Sequence, residues 1–157
     1  MKTNFFRLLC LLFVVFAGGI FSSAAAQTVS GSIGSGTINR GVAARASVVL
    51  SIPGGLHVNS HRPGAEYQIP TTVKATANGA RMGTVSYPSG RNRKFGFSEH
   101  TINVYEGRAT FGFNVTVPPN YRSSTISVRV SVHYQACTNE VCYSPKTKDI
   151  TLTAKVR

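Results

Sequence analysis

Two cysteines with four residues between them stand near the C-terminal end of this 157-residue chain, in the segment Tyr134-Gln-Ala-Cys-Thr-Asn-Glu-Val-Cys-Tyr-Ser-Pro145. A pair this close, Cys137 and Cys142, can be a staple, a redox reagent or half of a soft-metal site. Closing a loop of about six residues removes little chain entropy, on the order of 2 kcal/mol against nearly 5 for a loop of a hundred. A bond placed for stability would more usefully join distant segments, which favours exchange chemistry without excluding a structural hairpin disulfide. Exchange needs one sulfur open to an incoming thiolate and a second placed to resolve the mixed disulfide. Two thiols with His133 would suit a soft metal, but four residues of extended chain set His133 roughly 13 Å from Cys137. Within the loop, Glu140 would raise a nearby thiol's pKa, whereas Lys146 and Lys148 would lower it.

The compartment bears on this choice. Lys2 and Arg7 precede the apolar run Leu8 to Phe21, and Ser22 to Ala26 supply small residues for cleavage before Gln27. A run of fourteen residues is short of the roughly 20 that a membrane span needs. The third cysteine, Cys10, falls inside this run and leaves with it. The expectation is a signal peptide over residues 1–26 and an exported, periplasmic chain, in a setting where disulfides form and persist. Without Lys2 and Arg7, fifteen Lys and Arg against five acids leave a formal charge of +10. That excess suits anionic partners, but the basic residues are scattered, with Arg91, Arg93 and Lys94 the one tight cluster. There is no tryptophan and no basic–aromatic platform, so nucleic acid is not an expected partner.

The elements that must position the cysteines read as strands. Val48, Leu50 and Ile52 alternate with polar or outward residues, as do Phe111, Phe113, Val115 and Val117. The same period of two runs through Ile126, Val128, Val130, Val132 and Tyr134, and through Ile150, Leu152, Ala154 and Val156. Weaker strands are expected at Tyr67 to Ala77, Gly83 to Tyr87 and Thr101 to Tyr105, with Glu106-Gly107 as a hairpin turn into the Phe111 strand. Residues 27–41, rich in Gly and Ser, read as a flexible N-terminal segment. About seven strands and no helical period predict an all-β fold over residues 42–157, an immunoglobulin-like antiparallel β-sandwich. The cysteines then bracket a tight connection at one end of it.

The cysteine segment, together with Gly55-Leu-His-Val-Asn-Ser60, Lys94-Phe-Gly-Phe-Ser-Glu99 and Val104-Tyr-Glu-Gly-Arg108, resembles the N-terminal periplasmic domain of the thiol:disulfide interchange protein DsbD. The resemblance implies an immunoglobulin-like fold whose cysteine pair takes electrons from a membrane-embedded module and passes them to thioredoxin-like oxidoreductases of the envelope. It implies that Cys142 attacks and forms mixed disulfides while Cys137 resolves them. It also implies an aromatic-tipped cap loop shielding the pair, here Phe97 or, as second choice, Phe95; the competing view is that both are same-face strand residues of the core. Where some family members carry tyrosines this chain has His57 and Asn59, which with Glu140 are candidates for tuning the thiols. The cysteine spacing is one residue shorter than in some members. No membrane span or thioredoxin-like domain is seen here, so a separate membrane conduit and separate oxidoreductases are the expected partners, and no cofactor is called for. Two other classes stay open: a non-catalytic envelope-binding module with a structural disulfide, and a metal-handling protein using the thiols with His57, His61 or Met82. A hydrolase lacks any nucleophile motif.

Overall fold

A computed structural model describes residues 26–64 and 66–157, so nearly all of the segment expected to be an export signal, Cys10 included, lies outside the described residues. These fold into twelve strands and no helix: β1 (Thr28–Ile33), β2 (Thr37–Ile38), β3 (Ala43–Ser51), β4 (His57–Asn59), β5 (Thr72–Thr76), β6 (Arg81–Met82), β7 (Arg91–Arg93), β8 (Ile102–Tyr105), β9 (Arg108–Thr116), β10 (Thr125–Tyr134), β11 (Ala136–Cys137) and β12 (Lys146–Val156). They form three four-stranded sheets, ordered β1-β3-β9-β6, β2-β12-β10-β5 and β11-β4-β8-β7. Every pairing is antiparallel except the short β2–β12 contact. This is an immunoglobulin-like β-sandwich.

The period-two pattern does what a half-buried strand requires. Val48 and Leu50 of β3, Phe111, Phe113 and Val115 of β9, Ile126, Val128, Val130, Val132 and Tyr134 of β10, and Leu152, Ala154 and Val156 of β12 all enter one core, while most of their neighbours face out. Each such Val, Leu, Ile or Phe gains about 1.5–3 kcal/mol on leaving water. Together they fix the long strands in register.

Several expectations need correction. Residues 27–41 are no loose lead-in: β1 pairs with β3 along its whole length, from Thr28 opposite Ser51 to Ile33 opposite Ala46, and both Ile33 and Ile38 are fully buried. The Gly and Ser content there reflects an edge strand with a wet outer face. Gly31 lies so close to the Ser47 carbonyl that an added Cβ would sit 2.5 Å from its oxygen. The strand expected over Tyr67 to Ala77 shortens to β5, and Gly83 to Tyr87 contributes only a bridge from Ser86 to Gly112 beside β6. Glu106-Gly107 is not a hairpin turn. β8 and β9 belong to different sheets, and Gly107, at φ 66°, turns the chain from one to the other while its carbonyl accepts from Ile52 N at 2.7 Å.

The third sheet decides where the cysteines go. β4 is only three residues long and all three are buried, so both of its faces are covered. In register, Val58 faces Ala136 on one side and Tyr105 on the other, and all three join the main core. The alternate residues point the opposite way: Cys137 is opposite His57, and Asn59 opposite Val104. On that outer face Phe95, Ile102 and Val104 make a second, small core.

Candidate functional site

β10 ends at Tyr134 in the main core, and one residue later the chain re-pairs as β11 against β4. That switch carries Cys137 to the outer face of the third sheet. A hairpin then brings Cys142 back beside it. Thr138 N donates to the Val141 carbonyl at 2.8 Å and Tyr143 N to the Ala136 carbonyl at 2.9 Å. These two bonds flank Cys137 and Cys142, making them a non-hydrogen-bonded antiparallel pair, the arrangement in which Cα atoms approach to about 4.5 Å. The observed Cα separation is 4.0 Å, and the sulfurs are bonded. The Thr138 hydroxyl, accepting from Glu140 N at 3.2 Å and Val141 N at 3.0 Å, braces the turn, and Gln135 Nε2 donates to the Tyr143 carbonyl at 3.1 Å.

The two cysteines are not equivalent. Cys137 is 1% exposed, while Cys142 is exposed on the returning arm. Its chain neighbours Val141 and Tyr143 are exposed large hydrophobics, 54% and 49% accessible. Sequence reading did not single these two out, since neither carries chemistry of its own.

His57, eighty residues earlier, is the nearest titratable group in register. It is buried at 2% exposure, and its Nε2 has no hydrogen-bond partner among the described residues. Phe95 lies flat on its imidazole, ring centroids 4.2 Å apart at 13°, and Phe97 stacks on Phe95 at 5.3 Å and 7°. Burial pushes the His57 pKa below the ordinary histidine value; Glu106 opposes that shift and Arg93 adds to it. Glu106 and Arg93 form an ion pair at 2.8 Å beside this stack, lining a cleft with Lys94, Phe95, Gly96 and Asn139 of the cysteine turn. The sequence pattern could not bring this pair to the site, because the two partners lie on different elements.

Phe95 and Phe97 are not strand residues. They sit in the turn after β7, with Ser98 N donating to the Phe95 carbonyl at 3.1 Å, the Ser98 hydroxyl to the His100 carbonyl at 2.8 Å, and Lys94 to the Glu99 carbonyl. Phe95 is buried and Phe97 is 44% exposed, so the residue covering His57 is Phe95, and Phe97 is the outer leaf. Tyr67 touches this turn through its hydroxyl, 3.4 Å from that of Ser98.

The remaining candidates fall elsewhere. Asn59 is buried with its amide committed to the Ile69 carbonyl at 3.0 Å, and its own carbonyl accepts from the Thr71 hydroxyl at 2.6 Å. It ties down the following loop. Glu140 is exposed at the tip of the cysteine turn. His133 contacts the Thr147 hydroxyl at 3.1 Å, across the β10–β12 pair. His61 stacks on Tyr87 at 3.7 Å and Met82 sits in β6 of the first sheet, so the residues of a metal reading are not gathered, and no group of three or more His, Cys, Asp or Glu occurs among the described residues.

Residues 37–154, most of the chain, match a family model described as "Thiol:disulfide interchange protein DsbD, N-terminal". Among solved structures, the Neisseria meningitidis DsbD N-terminal domain in the reduced form is similar at 18% identity and a TM-score of 0.47, over 70% of this chain and 77% of that one. The CssB subunit of an enterotoxigenic Escherichia coli colonization factor, complemented with a donor strand from CssA, is similar at 16% identity and 0.44, over 82% and 97%. AggA, the major subunit of Escherichia coli aggregative adherence fimbriae type I, is similar at 9% and 0.39, over 84% and 95%. No curated protein sequence matches the chain.

Proposed function

The chain belongs to the family of DsbD N-terminal domains, and from that premise we propose that it is an exported thiol–disulfide interchange module passing electrons between its Cys137–Cys142 pair and thioredoxin-like oxidoreductases of the envelope. The family is one of thiol–disulfide interchange and is periplasmic. No helix among the described residues is long and apolar enough to cross a membrane.

The single observation that carries the chemistry is the inequality of the two sulfurs. An exchanging disulfide is attacked at the sulfur a partner can reach, and the buried sulfur leaves. Cys142 is exposed and Cys137 is not. Cys142 therefore forms the mixed disulfide with the partner, and Cys137 attacks it to release the partner. Val141 and Tyr143 beside Cys142 supply apolar area for a partner's docking face. The turn at 94–97 serves as the cap, with Phe95 the inner shield and Phe97 its exposed edge.

Replacing Cys137 by Ser leaves a mixed disulfide on Cys142 unresolved. Incubating Cys137→Ser with an oxidised thioredoxin-like envelope protein is expected to trap a covalent one-to-one complex that dithiothreitol dissolves. The reduction potential of the wild-type pair should lie above about −300 mV, the level below which structural disulfides typically fall. A pair that resists reduced thioredoxin-like proteins and a Cys142 that captures none of them would instead make this a passive binding module with a stapled hairpin.

A further inference from the structure

We propose that His57 is the proton acceptor that converts Cys137 from thiol to thiolate for the resolving step, an assignment that rests on the exchange reading above. Residues directly opposite in an antiparallel pair point to the same face with Cβ atoms about 4.5–5.5 Å apart, and His57 is directly opposite Cys137. The imidazole is sealed from above by Phe95 and still has an unpartnered Nε2. A buried polar atom left without a partner is costly, on the order of 1–3 kcal/mol. Such an atom persists where another redox state gives it a partner, and in the oxidised state Cys137 has no proton to offer.

The step balances within the site. In the mixed disulfide Cys137 is a thiol. Its proton passes to His57 Nε2, and its sulfur attacks the Cys142 sulfur. The Cys137–Cys142 bond forms as the Cys142–partner bond breaks, and the partner leaves as a thiolate that takes a proton from the imidazolium or from water. No outside oxidant is needed, since the partner carries away the electron pair.

The groups facing His57 suit an acceptor. β11 presents Cys137; β7 presents Arg93 and the corner after β8 presents Glu106, paired with each other; the 94–97 turn presents the uncharged Phe95 ring. The lowered pKa keeps the imidazole unprotonated at neutral pH, ready to receive, and Glu106 favours the imidazolium once it forms.

The test uses the reduced protein and dithiobis(nitrobenzoate) in stopped flow, with no protein partner. The first thionitrobenzoate released reports attack by Cys142, and the second reports resolution by Cys137. An ordinary thiol of pKa about 8.5 is only about 3% thiolate at pH 7. His57→Phe, which keeps the ring stack, should therefore slow the second phase about tenfold or more at pH 7 and leave the first phase unchanged. The deficit should shrink as pH rises and vanish above about pH 9, where the thiol ionises unaided. His57→Gln, which keeps a hydrogen-bonding group but takes no proton, should behave the same way and covers the case in which the phenylalanine variant misfolds. Second-phase pH profiles of both variants superimposing on wild type would overturn the assignment. Failure of the exchange reading shows separately, as no capture of protein partners by Cys137→Ser while the two phases persist.

Discussion

At the residue scale, the site is an aromatic stack set on a buried imidazole that pairs in register with Cys137. Phe95, not Phe97, lies against His57, and under the proposed cap reading truncating it uncovers the Cys137 side of the pair. Phe95→Ala is expected to speed reduction by dithiothreitol several-fold and Phe97→Ala to change it little; equal rates in all three proteins would remove the cap. The buried His57 also leaves a signature in stability. Its folded pKa is lowered, so the unfolded chain takes up a proton first as pH falls through about 6.5. Its contribution is therefore intact above that pH and is lost below it, down through the folded pKa. Urea midpoints between pH 8 and pH 5 should fall more steeply in wild type than in His57→Phe, and parallel curves would contradict the burial. Tyr134 is a different case, with a fully buried hydroxyl that has no partner among the described residues. Tyr134→Phe should be neutral or stabilising by about 1 kcal/mol in urea denaturation; a clear loss would reveal a bond to that hydroxyl. The period of two placed Tyr134 on an inward face, but the contact that brings Phe95 onto His57 was not legible in sequence. Cys137 and Cys142 declared their chemistry by type and spacing, but His57 reaches them only through the register of a three-residue strand.

At the element scale, legibility followed length and one-sidedness. β3, β9, β10 and β12 alternate over nine to eleven residues and bury a single face, which is the pattern period-two reading detects. β4 has too few residues to alternate and is covered on both faces. β1 hid for the opposite reason, since four of its six residues are exposed and Gly31 interrupts it. Glu106-Gly107 has the composition of a hairpin turn, yet the sandwich uses it to change sheets. The role of β1 can be checked at Gly31. A methyl there meets the Ser47 carbonyl and Leu152, so Gly31→Ala should destabilise by about 1–3 kcal/mol, as overpacking does. Gly112 provides the contrast, because the nearest atoms its added methyl would meet belong to the end of the Arg45 side chain, which can swing away. Gly112→Ala should lower the urea midpoint by less than half as much. Tolerance of Gly31→Ala without loss would return residues 28–33 to a loose lead-in.

At the scale of the whole molecule, the disulfide contributes little to the fold. The cores are aliphatic and aromatic and run through all three sheets, and domains of this size are stable by about 5–15 kcal/mol. Opening a six-residue loop should remove only about 2 kcal/mol of that. The reduced protein is expected to unfold cooperatively at a slightly lower urea concentration, with a near-identical far-ultraviolet spectrum. Collapse on reduction would identify the bond as a staple. The proposed electron-carrying role requires survival in both states, and this architecture separates the cysteine pair from the scaffold.

The main-chain bonds on either side of the cysteines act whether or not the sulfurs are joined. When the bond opens, the hairpin still holds the two thiols as neighbours, so each meets the other at a very high effective concentration. On the proposed exchange reading, a partner captured on Cys142 has a short residence, ended by a rival that never diffuses away. Encounters of this kind are fleeting by construction, and a stable adduct marks a chain whose inner sulfur is missing.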